Sequence, residues 1–314
     1  MLLSHVNKIK YHDNRILSKR RLKMDYPLYL MLFPPVVLLF VYHYIPMAGI
    51  IIAFMRYLPA KGLFDSPWVG FGNYRVLFNM PGFFQAIRNT LIISSSKIVL
   101  SIIVPVSFTI LLNEINIDPV KKGIQTLIYL PYFISWVLLA GIFIKLLGGS
   151  GIVNQALGVI GVGPIIFLGN NFWFRVTVIA TDIWKEFGYG TIVYLAAVSS
   201  VDPNLYEAAR VDGAGHWKQM IHITLPSLTT IIVLMSVLKV GSILNAGFDQ
   251  IFNLYNSTVY ESGDIIDTLV YRIAFGTGQF GLSTAAGLSK SLVASFLVIL
   301  SHKFAHRISG YRVF

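Results

Sequence analysis

The sequence contains no cysteine, which excludes disulfides, thiol nucleophiles and thiolate metal sites and leaves the redox compartment unreadable. Charge is scarce too: Asp, Glu, Lys and Arg together make up 12% of the 314 residues, against about one quarter in ordinary soluble domains. No G-x-x-x-x-G-K-[ST] phosphate loop occurs, so the chain is not expected to hydrolyse ATP by itself. The GTGQFG at 276–281 fits G-x-G-x-x-G, but it precedes a long apolar run instead of joining a strand to a helix, and reads as coincidence. H-E-x-x-H and G-x-S-x-G are missing, and His302 and His306 read as polar residues at a helix end more readily than as metal ligands.

What the sequence has in quantity is apolar length. Hydrophobic residues make up 55% of the chain, gathered into runs close to the roughly 20 residues that cross a hydrocarbon core. These predict an all-α polytopic membrane protein with six transmembrane helices, at roughly 28–53, 89–112, 122–147, 173–200, 226–247 and 283–306. The first run, from Pro27 to Phe54, is too long for a signal-peptide core and lacks a small-x-small site after it, so it reads as a retained span.

The net charge of +11 follows the ends of these runs, as positive-inside topology requires, and does not suggest nucleic-acid binding. Lys8, Lys10, Arg15, Lys19, Arg20, Arg21 and Lys23 precede the first span, Lys121 and Lys122 follow the second, and Arg210 and Lys218 follow the fourth. Lys303, Arg307 and Arg312 follow the sixth. Both termini are therefore expected in the cytoplasm, with a basic tail at 1–26, a membrane domain at 27–308 and a short C-terminus at 309–314. The loop after span one is a mild exception, with Arg56, Lys61, Arg75 and Arg88. Its aromatic-rich part from Gly62 to Arg88, and the apolar stretch from Gly151 to Leu168, are expected to lie along the outer membrane surface.

Ionisable residues in or near spans are costly; here they are Lys97, Asp182, Lys185, Glu186, Lys239 and Lys290. Lys185 and Glu186 point about 100° apart on a helix and need partners elsewhere. Glu186 clamped to Lys97 or Lys239 is one reading; Glu186 lining a water-filled path is the other.

Between spans four and five stands EAARVDGAGHWKQMIHITLP, Glu207 to Pro226. Asp202 is a good N-cap and Pro203 suits the first helical position. A short helix is expected to follow and to break at Gly213 or Gly215. A second short helix then runs to Pro226, which is expected to open span five. Ala208, Ala209 and Gly213 permit close approach by another surface, and Glu207 and Arg210 offer charge at its edges. On physical grounds a docking handle and an interfacial amphipathic helix are both open.

The spacing of Glu207-Ala208-Ala209, Gly213, Ile223 and Leu225-Pro226 resembles the EAA motif of ABC-importer permeases at each of its fixed positions. YIPMAGIIIAF (44–54), SPWVGFGNYRVLF (66–78), LPYFISWVLLAG (130–141) and NAGFDQIFNLYN (245–256) resemble the MalF-type carbohydrate permeases, in particular the LplB-like group for complex oligosaccharides. The chain has neither the extra N-terminal spans nor the large insertion of MalF itself. The resemblance implies a transmembrane permease domain at 27–308 whose EAA loop, 203–226, is a cytoplasmic coupling helix between spans four and five. Glu207, Ala208, Ala209, Arg210, Asp212, Gly213, Leu225 and Pro226 are then the residues facing an ATPase. It also implies a bacterial cytoplasmic-membrane protein with no enzyme activity and no cofactor of its own, ATP and Mg being bound by the partner ATPase. The implied partners are a second homologous permease, two ATP-binding subunits, an extracytoplasmic sugar-binding protein and an oligosaccharide. Sugar hydroxyls need polar partners and stacking faces, for which Tyr132, Trp184, Glu186, Tyr189, Asn245, Asp249 and Gln250 are the candidates, weighed against ordinary helix–helix contacts. A permease for a non-sugar solute is the nearest alternative, and a secondary transporter, which would use charged coupling sites or broken helices, is a more distant one.

Overall fold

The computed structural model describes residues 19–115 and 117–309. The expected basic tail before residue 19 and the C-terminal segment from residue 310 lie outside the described residues, as do the side chains of His302 and His306. The chain divides into two compact units, Met1–Ile51 and Ile52–Phe314. In the first, helix α1, Lys19–Leu39, runs on through Pro27, Pro34 and Pro35, and its side chains from Tyr26 to Leu39 are exposed. A π-helical turn follows at Phe40–Tyr44, where the Ile45 N–H reaches back to the Phe40 carbonyl just ahead of Pro46.

In the second unit the described residues form helices joined by irregular segments, with no strand beyond two isolated bridges. Short helix α2, Gly72–Phe78, leads into α3, Pro81–Asn113. The second expected span therefore begins about two turns early, because Pro81 suits a helix's first position and nothing interrupts the run behind it. The third expected span, 122–147, is not continuous. Helix α4, Asp118–Tyr129, gives way to a 3₁₀ turn at Leu130–Phe133 and extended backbone at Ile134. Helix α5, Trp136–Leu146, then restarts with the Ser135 side chain accepting from the Leu138 N–H. Pro131 lies in that turn, and the residue before a proline is biased away from helix. Helix α6, Ile152–Val159, follows.

Helix α7, Asn171–Ser199, starts where Asn170 Oδ1 accepts from the N–H groups of Phe172 and Trp173. It is long enough to cross a bilayer but carries Arg175, Asp182, Lys185 and Glu186. Five helical stretches of the described residues are both long and apolar enough: Tyr26–Phe54, Pro81–Asn113, Trp136–Val159, His216–Val240 and Phe280–Leu300. Helix α8, Pro203–Val211, and helix α9, His216–Val240, follow α7. The second short helix and span five are thus one rod. Pro226 does not open span five; it lies inside α9, and its missing N–H and ring are accommodated by a π-helical stretch, Met220–Thr224, in which the Leu225 N–H bonds the Met220 carbonyl. The expected end of span five at 247 is also too far, since α9 stops at Val240.

Beyond α9 the chain does not form a surface loop. Helices α10, Phe248–Leu254, α11, Tyr260–Gly263, and α12, Ile266–Tyr271, are packed inward before α13, Phe280–Ser309. Ala246, Ile251, Leu254, Val259 and Ile265 join Ile93, Ala140, Phe174 and Val178 in one core cluster, and Ile266, Leu269 and Ile273 join Leu77, Phe83, Ala86, Leu282 and Ala286 in another. Irregular backbone at membrane depth is tolerated where protein buries it.

Helices α3 and α7 form the most extensive pairing. Lipid is as apolar as leucine, so close backbone approach and interhelical hydrogen bonds must supply much of the association. A Cβ on Gly188 of α7 would fall 1.9 Å from the Ile128 carbonyl oxygen, and one on Gly263 would fall 2.2 Å from the Phe174 ring. The Asn89 amide donates to the carbonyls of Glu261 and Asp264 while its oxygen accepts from Arg175, at 2.8 Å.

Candidate functional site

Two polar centres and one exposed element hold most of the residues singled out from the sequence. The first centre is Lys97 on α3. Its ammonium donates to Asp182 Oδ1 at 2.9 Å, to the Ala246 carbonyl at 2.8 Å and to Gln250 Oε1. The Gln250 amide in turn donates to the Val178 carbonyl at 2.7 Å and to Thr181 Oγ1 at 2.8 Å. An ammonium has three protons, and all three are used. Gly247, at φ 91°, makes the left-handed turn that brings α10 over the lysine. Of the two readings of Glu186, the clamp to Lys97 is made instead by Asp182, one helical turn earlier on the same face of α7.

The second centre lies at the break between α4 and α5. Lys185 Nζ donates to the Tyr132 carbonyl at 2.8 Å, a group freed by the interrupted helix, and sits 5.1 Å and 5.7 Å from the ring centres of Tyr132 and Trp136. Glu186 Oε1 is 3.6 Å from the same ammonium, so the neighbouring pair also meet each other through their flexible stems. Tyr132 and Tyr189 stack at 4.1 Å and 7°. Tyr189 is 48% exposed, and about two fifths of the Glu186 side chain is accessible, so this centre offers an aromatic face beside a carboxylate.

Tyr132, Glu186 and Tyr189 are thus brought together; the other four candidates are elsewhere. Trp184 projects from a different face of α7 and meets Phe143 edge-on at 5.7 Å. Asn245 accepts from Lys290, which also pairs with Asp267 at 2.6 Å. Asp249 is exposed in the first turn of α10. Gln250 is wholly buried and is an internal tie, with no accessible group for a solute. Sequence reasoning missed the pairing of Asp264 with Arg272, whose guanidinium stacks on the Tyr260 ring at 4.4 Å. Burial and the neighbouring Tyr260 push the nearby Tyr255 hydroxyl up to about 12, so it stays neutral. It also missed Lys290 with Asp267; opposite charges 23 positions apart carry no local signal.

The exposed element is α8 with the turn behind it. Asp202 Oδ1 caps α8 by accepting from the Asn204 N–H at 3.0 Å. At the other end the Gly213 N–H bonds the Arg210 carbonyl and the Ala214 N–H bonds the Ala209 carbonyl, at 3.0 and 2.8 Å. With Gly213 at φ 77° this is a Schellman turn, in which glycine is the residue that bears the left-handed conformation without strain. Glu207, Ala208, Arg210, Asp212, Gly213, Leu225 and Pro226 are exposed and Ala209 is half-buried. Val211 and Trp217, 88% and 75% exposed, make the surface more apolar than a solvent-facing loop needs to be. Among the described residues no group of His, Asp and Glu is arranged to hold a metal.

Comparison with known proteins accords with this geometry. The family of binding-protein-dependent transport system inner membrane components matches over residues 118–309. The polygalacturonan/rhamnogalacturonan transport system permease protein YteP of Bacillus subtilis is 42% identical, with 89% of this chain and 88% of that protein aligned. Protein LplB of the same organism is 38% identical over 93% and 92% of the two chains. The crystal structure of a bacterial alginate ABC transporter, in complex with an alginate pentasaccharide-bound periplasmic protein, contains a chain that superposes with a TM-score of 0.84 at 37% identity, covering 92% of this chain and 97% of that one. This multi-pass chain belongs to the family of inner membrane components of binding-protein-dependent transport systems.

Proposed function

We propose that the chain is one of two homologous permeases in an ATP-driven importer of polysaccharide-derived oligosaccharides. A solute-loaded binding protein meets the outer face, two ATP-binding subunits hold ATP and Mg, and the α8 region couples them to the membrane helices. On this reading the chain crosses the membrane six times, α7 being the charged span and both termini cytoplasmic. The permease domain spans 27–308, between the basic tail at 1–26 and the short C-terminus at 309–314. The observation that carries the proposal is the match along nearly the whole chain to a permease named for polygalacturonan and rhamnogalacturonan, and to an alginate importer.

Glu207, Ala208, Ala209, Arg210, Asp212, Gly213, Leu225 and Pro226 would face the ATPase, supported by the exposure of all but Ala209. Tyr132, Tyr189 and Glu186 would meet sugar, since stacked phenols beside a carboxylate offer a flat face and a hydroxyl acceptor. Trp184, Asn245 and Asp249 are the more peripheral candidates. The broken helix at Leu130–Ser135 and the buried Lys97–Asp182 pair are features a secondary transporter would also use, so they do not separate the two readings; the exposed EAA-spaced helix does.

The test is reconstitution of the chain with its sister permease and ATPase in liposomes. Binding protein loaded with oligogalacturonate or alginate oligosaccharide should stimulate hydrolysis and drive uptake, while maltooligosaccharide should not. Uptake driven by an ion gradient without ATP would remove the importer reading, and stimulation by a non-sugar solute alone would remove the substrate.

A further inference from the structure

Helix α8 makes one side-chain hydrogen bond beyond its own cap among the described residues: the Tyr206 hydroxyl meets Thr224 Oγ1 at 3.0 Å, across 18 positions of sequence. Thr224 is 3% exposed and closes the π-helical stretch of α9. Tyr206 is half-buried, whereas its neighbours Glu207 and Ala208 are exposed. Together with Glu114, Glu207, Arg210 and Gln219, the pair lines a polar cleft of about 230 Å³ beside α8. The two other polar ties nearby do not hold α8 itself. Gln219 donates to the Ala214 carbonyl within the turn, and His216 pairs with Glu114 at 3.1 Å in an exposed position, where ion pairs contribute little.

We infer that Tyr206 is a positioning residue for energy coupling: its hydroxyl, through Thr224, fixes the angle between the ATPase-facing helix and the span that continues from it. The inference rests on the importer reading. Loss of the bond removes one hydroxyl and leaves the exposed side chains of Glu207, Ala208 and Arg210, which would meet the ATPase, in place. The helix can then pivot about the Schellman turn at Gly213, so that movement of α8 no longer reaches α9 in full.

The experiment uses the assembled transporter, with a single cysteine, Ser242→Cys, introduced just past the end of α9 in this cysteine-free chain. Thiol labelling is compared with and without ATP plus vanadate, beside ATPase co-purification and hydrolysis. Wild-type assemblies should show a nucleotide-dependent labelling change. Tyr206→Phe and Thr224→Val should each reduce that change by about three- to tenfold, the scale of one net hydrogen bond, with co-purification and basal hydrolysis retained. The double variant should be no worse than either alone, and Thr224→Ser, which keeps the hydroxyl, should behave as wild type. An unchanged nucleotide response in both single variants overturns the inference, as does a loss that tracks lost ATPase binding or is shared by Thr224→Ser. If the wild-type chain neither binds an ATPase nor responds to nucleotide, the importer reading falls and this inference falls with it.

Discussion

Gly213 has φ 77° with no other atom within 4 Å of the position a Cβ would take. Space is therefore not the constraint; backbone conformation is. Gly213→Ala should be tolerated better than Gly213→Val, because a β-branched residue in the left-handed region is a genuine outlier costing of the order of 1–3 kcal/mol. Both variants should insert normally, with the valine variant losing uptake through a misdirected α8; equal uptake in the two, measured in liposomes, would show that the turn is not needed. Lys97 is the opposite case, since conformation is easy and desolvation is everything. Lys97→Ala leaves the half-buried Asp182 and two buried acceptors without their partner, at a cost of at most the roughly 3–5 kcal/mol of breaking a fully buried pair. A lowered melting temperature in detergent, partly restored by adding Asp182→Ala, is the expected result. The need for a partner to Lys97 was legible in the sequence, but its identity was not. Positions 182 and 186 share a helix face, and only the position of α3 along α7 decides which one the lysine reaches.

Helix boundaries were legible where a capping residue or proline marks a true end. Asp202-Pro203 marks the start of α8 from the sequence alone, and its end was narrowed to Gly213 or Gly215, of which the structure takes Gly213. Such marks misled at Pro226, where proline is accommodated within a helix, whereas expected span one had already run through Pro46. Pro46 and Pro226 each follow a π-helical turn in which an N–H reaches five residues back, Ile45 to Phe40 and Leu225 to Met220, and in both places helix continues past the proline. Pro131, in contrast, accompanies a real interruption, whose freed Tyr132 carbonyl is taken up by Lys185. The deciding partner lies 53 positions away, beyond the reach of any local pattern. Lys185→Met should leave that carbonyl without its partner and loosen the junction of α4 and α5, seen as faster amide exchange at Ile134–Trp136. Gly188→Val on the facing helix should be worse, since its Cβ would overlap the Ile128 carbonyl, and overpacking alone costs about 1–3 kcal/mol. Normal thermal stability in that variant would contradict the close approach.

At the scale of the whole molecule, apolar length and the EAA spacing conveyed the class, because both are local properties. The inward packing of residues 246–274 was not legible: a mixed segment with Asp249, Glu261, Asp264 and Asp267 reads as a surface loop until Asp264 and Asp267 are seen to pair with Arg272 and Lys290. The positive-inside pattern predicts the orientation, which single cysteines can test directly. Lys218→Cys should label only from the cytoplasmic side and Ser257→Cys, in the exposed stretch before α11, only from the opposite side. Reversed labelling would overturn the topology and the coupling role of α8 together.

The uninterrupted course of His216–Val240 has a mechanical consequence. Twenty-five helical residues at 1.5 Å each make a beam of about 37 Å, longer than the hydrocarbon layer is thick. Because helix continues through the π-helical stretch and Pro226, a sideways push at the foot of this beam would tilt it. Rocking by about 10° around its midpoint would carry each end roughly 3 Å, in opposite directions. A small displacement beside His216 would thus be delivered near Val240 with its sign reversed, narrowing one mouth of a passage while the other widens.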